Sequence, residues 1–184
     1  MRFLRMLWEC ITLWRPEPAT EEELRKCDAV FAFADSRMRD GSPGPGNEFI
    51  AAGWRELRER YGLPLLVQDE VALAAEDLEC RYVARGPQHG KSGRRWNTAT
   101  ITDEFAAICR QERWCRIVIV STPDHLLRCC WVARKRGFEA VCAEMPEGHY
   151  FHPDLALWAC RGGKYRFRAR DFLVRLYFLF RGDI

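Results

Sequence analysis

Arg116-Ile117-Val118-Ile119-Val120-Ser121-Thr122-Pro123-Asp124-His125-Leu126-Leu127-Arg128 changes character partway along. As far as Ser121 it is a β-branched run, the pattern of a strand covered on both faces. From Pro123 the composition turns helical until Gly137 stops it, and residues 138–143 read as a further strand. Thr122 is placed to cap this helix and Pro123 to occupy its first position.

The same alternation extends toward the N-terminus. Residues 28–34 form a continuous apolar run, residues 35–46 are a Gly-, Pro- and Ser-rich loop, and residues 47–61 have helical composition closed by Gly62. Residues 63–68 are another apolar strand, so the unit predicts parallel pairing through a right-handed crossover. The middle reads as a short helix over 71–79, a short strand over 81–84, a polar loop over 86–97 and a helix over 98–111. Thr100 and Asp103 have capping-box-like spacing in that helix. Strands alternating with helices specify a three-layer α/β sandwich with a mostly parallel sheet, whose ligand crevice lies beyond the strands' carboxyl ends.

At 184 residues the chain fits one domain, and 48% hydrophobic with 30% charged residues argues for a buried core under a soluble surface. Residues 1–26 read as an N-terminal helical segment packed on a domain over 27–184. A net charge of +3 is too balanced to predict nucleic-acid binding. Nine cysteines without a Cys-x-x-Cys pair suit a reducing, cytoplasmic setting, where buried thiols act as small hydrophobes. The stretch 1–14 is too short and too charged to span a bilayer. Its Leu4, Leu7, Trp8, Ile11 and Trp14 recur at helical spacing, which fits a helix packed on the domain and, alternatively, an interfacial membrane anchor.

Chemistry concentrates where the strand over 116–121 meets its helix. His125 and Arg128 fall three apart on one face and add donors to the free amides of the helix start, an anion-binding corner to which Ser121 and Thr122 also belong. Asp35 follows the first strand, where it could orient a ribose hydroxyl, ligate a cation or act as a base; Ser36 and Asn47 flank it. Asn97, Thr98 and Thr100 open the helix before the His125 strand, with capping alone as the simpler reading. Gly86-Pro87-Gln88-His89-Gly90-Lys91-Ser92 has one residue too few between its glycines for a phosphate-binding P-loop. His149 and His152, near Glu147 and Asp154, read as solvated loop residues rather than metal ligands.

With these residues in view, the chain resembles the YdcF/SanA/ElyC-like family over about residues 27–182. The likeness rests on the strand over 28–34, the helix led by Asn47, Asn97-Thr98 before an acidic helix start, and above all on 120–128 followed by Arg136-Gly137-Phe138. The resemblance implies a Rossmann-like fold, with S-adenosylmethionine or another nucleotide-like ligand for cytosolic members and envelope roles for membrane-anchored ones. It assigns His125, Arg128, Asn97 and Thr98 to the pocket. Where the family has a Gly-rich turn after the first strand, this chain has Ala34-Asp35-Ser36, and a side chain occupies the space a phosphate would need. The tail over 168–181, with Phe172, Leu173, Leu176 and Phe180 between basic residues, reads as a closing amphipathic helix.

Three functions remain open. The first is a binding or transferase module for a nucleotide-like anion. The second is a metal-assisted phosphoester or pyrophosphate hydrolase with Asp35 or Glu104 as base or metal ligand and His125 with Arg128 on the phosphoryl oxygens. The third is a membrane-surface protein using residues 1–14 and the basic tail.

Overall fold

The apolar run after Asp28 becomes β1 (Ala29–Ala32), the middle strand of a five-stranded parallel sheet. The computed structural model describes residues 2–77, 79–84, 97–145, 148, 150–156, 158–161 and 163–184. β1 lies between β2 (Leu65–Gln68) and β4 (Arg116–Val120), so Val30 stands opposite both Leu65 and Val118. β3 (Tyr82–Ala84) pairs with β2, and β5 (Glu139–Cys142) pairs with β4. The order β3-β2-β1-β4-β5 reverses direction between β1 and β4. Asp28 fastens that junction from below, its Oδ2 accepting the amides of Cys115 and Arg116 at 2.8 Å each.

Because side chains alternate along a strand, β1 and its extension feed two cores. Val30, Ala32 and Ala34 pack toward Ile50 and Trp54 of α3 (Pro45–Tyr61), in the layer that also takes Leu24 of α2 (Glu21–Arg25) and Val71 of α4 (Asp69–Leu73). Ala29, Phe31 and Phe33 point the other way, to α5 (Thr98–Glu112) and α6 (Pro123–Lys135), with the Phe31 and Phe105 rings 4.9 Å apart. The result is the single-domain, three-layer Rossmann-like α/β sandwich, all-parallel rather than mostly so. Seven of the nine cysteines are buried, Cys80 is half-buried and Cys115 is exposed.

Several local expectations shift. α3 starts at Pro45 rather than Asn47, since proline suits the first turn and Gly44 caps it. A Cβ on Gly44 would sit 2.2 Å from the Ser36 carbonyl oxygen. Gly44→Ala must therefore move backbone, and a loss of about 2 kcal/mol in chemical denaturation is expected. The short helix expected over 71–79 is α4, beginning at Asp69 and ending at Leu73. The capping box of α5 lies one turn earlier than Thr100 and Asp103. Asn97 Oδ1 accepts the amides of Ala99 (2.9 Å) and Thr100 (3.1 Å), and Thr100 Oγ1 accepts the Asn97 amide. Thr122 stands at the N-cap of α6 without a side-chain capping bond, its hydroxyl buried and unbonded.

The closing helix, α8 (Gly163–Arg181), follows α7 (Trp158–Arg161) and is longer than the tail segment expected. It buries Phe167, Asp171, Arg175, Phe178 and Leu179, while Leu173 and Phe180 turn outward. Ion pairing explains the rotation. Asp171 is ion-paired with Arg128 Nε at 2.7 Å and accepts a hydrogen bond from Arg175 Nε at 2.6 Å, and Arg168 meets Asp124 of α6 at 2.7 Å. α1 (Arg2–Thr12) packs against α8, inserting Cys10 beside Phe178 and Leu179. The loop over 86–96 with its P-loop-like glycines and Arg94-Arg95, and also His149 and Glu147, lie outside the described residues.

Candidate ligand-binding site

Where the sheet order reverses, the chain leaving β1, the end of β2, the start of α5, one side of α6 and one side of α8 surround a cavity of about 820 Å³. Asp35, His125 and Arg128 line it together, with Asn97 and Thr98. Ser36, Asn47, Ser121 and Thr122 do not line it. Their roles lie behind it. Asn47 Oδ1 accepts the Asp35 amide at 2.9 Å while its Nδ2 donates to the Ser36 carbonyl at 3.2 Å, so this buried side chain shapes the turn that presents Asp35.

The Asp35 carboxyl is tightly framed. A Cβ on Gly46 would come within 2.5 Å of Oδ2, and the Cys160 thiol donates to Oδ1 at 3.5 Å. Burial raises its pKa to about 7, against the lowering influence of the Cys160 bond and of Arg170. A carboxyl poised there can give or take a proton near neutrality. Beside it, Gln68 Oε1 accepts the Ala34 amide at 3.0 Å, which leaves the NH2 of Gln68 as its remaining donor group.

His125 is held neutral, its pKa driven well below the ordinary value by burial and then by Arg128, Arg170 and Arg175. The Ser121 hydroxyl donates to the Phe33 carbonyl at 3.0 Å and lies 3.1 Å from His125 Nδ1. Nε2 faces Thr98 Oγ1 at 3.4 Å, and the ring also meets the Ala34 backbone. Arg128 donates to Thr98 Oγ1 at 3.2 Å and is neutralised by Asp171. Both side chains, expected to add donors for an anion at the start of α6, thus make polar contacts within the protein while lining the cavity. Asp124, an acid in the first turn of α6, is itself buried and bonded by Tyr150 and Arg168. The helix start facing the cavity is that of α5.

The unspent cation comes from α8. Arg170 lines the cavity, and among the described residues it makes no hydrogen bond and no ion pair. Burial and the nearby Arg128 lower its pKa, while Asp171 and Asp35 pull the other way. Around it Phe167, Val174, Tyr177 and Phe178 supply an apolar and aromatic wall. At the rim Arg136 is taken up by Asp103 and Asp183, and Arg181 by Asp183 and Tyr177. The sequence reading missed Arg170 and Gln68 as site residues. The spacing of Phe167, Arg170, Val174, Tyr177 and Arg181, at three and four residues, was the available signal for a common face.

Glu104 does not line the cavity; it accepts from Tyr82 at 3.2 Å. His152 lies away from it, accepting the Asp154 amide. Among the described residues no cluster of three His, Cys, Asp or Glu side chains is arranged to hold a metal ion, and no helix is long and apolar enough to cross a membrane. Compared with family models, with curated proteins and with solved structures, the chain matches none.

Proposed function

We propose that this protein binds an anionic, nucleotide-like small molecule in the cavity at the β1–β4 reversal, with Arg170 as its anion anchor. The observation that carries the reading is the half-buried Arg170 guanidinium, which has no carboxylate partner among the described residues while its neighbours Arg128 and Arg175 share Asp171. A partly desolvated cation that faces a cavity gains from an anion that completes it. The position supports a nucleotide-like ligand because open parallel sheets bind ligands where strand order reverses, and about 820 Å³ suits a nucleoside-sized molecule.

S-adenosylmethionine, the ligand implied by the YdcF-like resemblance, fits this donor set. Its carboxylate would go to Arg170, and its ring system to the aromatic wall from α8. Bound there, it would supply a transferable methyl group. Asp35 stands ready to hold or release a proton beside it.

Calorimetric titration with S-adenosylmethionine and with nucleoside mono-, di- and triphosphates tests the reading. Saturable binding of at least one is expected. Below about pH 7 Asp35 is protonated and places no negative charge beside the anion, so affinity should fall roughly tenfold as pH rises from 6 to 8. Asp35→Asn should flatten that dependence. Silence from every ligand would reject the proposal.

A further inference from the structure

Gln68 ends β2 at a position where the strand pattern favours an apolar side chain. Leu65, Leu66 and Val67 before it are all buried, and alternation sets Gln68 on the same face of the sheet as Leu66, toward α5 and α6. It is also the N-cap of α4, yet its side chain makes no capping bond there. Serine or asparagine would cap the helix and leucine would fill the layer; glutamine does neither. Its side chain lines the cavity at the β1–β4 reversal, with the residue only 8% exposed.

The orientation of its amide is fixed. The Ala34 backbone N–H can only donate, so the atom 3.0 Å from it is the carbonyl oxygen Oε1, and the NH2 is left for the cavity. Among the described residues this NH2 makes no hydrogen bond. A buried amide donor without an acceptor is more costly than the apolar side chain the strand would take, and an acceptor carried by a ligand would offset that cost.

The surroundings suit one kind of acceptor. Ala34 leads into Asp35, whose carboxyl accepts from the Cys160 thiol, and Cys160 packs with Phe167 of α8. Phe167 and Arg170 both line the cavity, three residues or about 4.5 Å apart along the helix. A nucleotide can bridge them, with its phosphate on Arg170, its base beside Phe167 and one base edge toward Gln68. We infer that Gln68 selects the base, donating from Nε2 to an exocyclic carbonyl oxygen that stands where adenine and cytosine carry an amino group. An amino group there would set N–H against N–H. The inference rests on the reading of the cavity as a site for an anionic, nucleotide-like molecule and narrows it: nucleotides of hypoxanthine, guanine or uracil rank above those of adenine or cytosine, and above S-adenosylmethionine, which carries adenine.

Calorimetric titration with inosine and adenosine monophosphates, and with uridine and cytidine monophosphates, tests it. Within the pair that binds more tightly, the inosine or uridine member should have a Kd about tenfold lower. Gln68→Met removes the donor and suits the apolar strand, so the preference should shrink to within about twofold. Because that variant also frees the Ala34 amide, its thermal midpoint is read alongside, and the wild-type comparison stands without it. Nucleotide binding with no preference in the wild type would overturn the inference and leave the reading of the cavity in place. An equal loss of affinity for both members in Gln68→Met would do the same, since that is what a merely structural role produces. Binding of none of the four nucleotides would overturn both.

Discussion

Arg170→Ala is expected to weaken binding of an anionic ligand by about 2 kcal/mol, roughly thirtyfold in Kd, while leaving folding stability nearly unchanged. The two halves of that expectation have one cause. Arg170 makes no hydrogen bond or ion pair among the described residues, so its removal breaks no internal contact that holds α8 in place. Removal also relieves its repulsion with Arg128, which lowers the pKa of Arg170. Arg128→Ala should behave in the opposite way. Arg128 is 5% exposed and its guanidinium holds Asp171 and Thr98, so truncation should cost stability first and affinity only as a consequence. Paired calorimetry and chemical denaturation on the two variants separate an anchor from a strut. Unaltered affinity in Arg170→Ala, for a ligand the wild type binds, would remove Arg170 from the site.

Asp171→Asn should be the most destabilising of the substitutions considered, by about 3–5 kcal/mol in urea or guanidinium denaturation. The asparagine keeps the volume and loses the charge. Arg128 and Arg175 would then face each other across a neutral amide, and Arg175 is 0% exposed. Its remaining contacts are the Leu13 carbonyl at 2.6 Å and the rings of Trp14 and Trp131 at 4.8 and 5.5 Å. Cation–π contacts contribute on the order of 1–2 kcal/mol and do not replace a buried counterion. Because this carboxylate ties α6, α8 and the residues after α1 together, ligand affinity should fall with stability, unlike in Arg170→Ala. A loss below about 1 kcal/mol would show that the pair is dispensable to the packing of α8.

The amino-acid sequence by itself determined the sheet and where its ligand edge lies. Short apolar runs such as Val30-Phe31-Ala32 and the β-branched Ile117-Val118-Ile119-Val120, bounded by turn residues, fit strands covered on both faces, and helical segments between them favour parallel pairing. Asp35, Asn97, Thr98, His125 and Arg128 were legible because each follows a strand or opens a helix at that edge. The electrostatic state of those residues was decided by tertiary structure alone. Arg128 and Asp171 are 43 positions apart in the chain, yet their contact determines that Arg128 is neutralised and that Arg170 is left as the unspent cation. The rotation of α8 has the same origin. Hydrophobic periodicity favours burying Leu173 and Phe180, but partners on α6 and after α1 make it cheaper to bury Asp171 and Arg175 as a bonded set. Periodicity is local and can be read along a chain; the compensation of a buried charge depends on which distant group folding brings within about 3 Å of it.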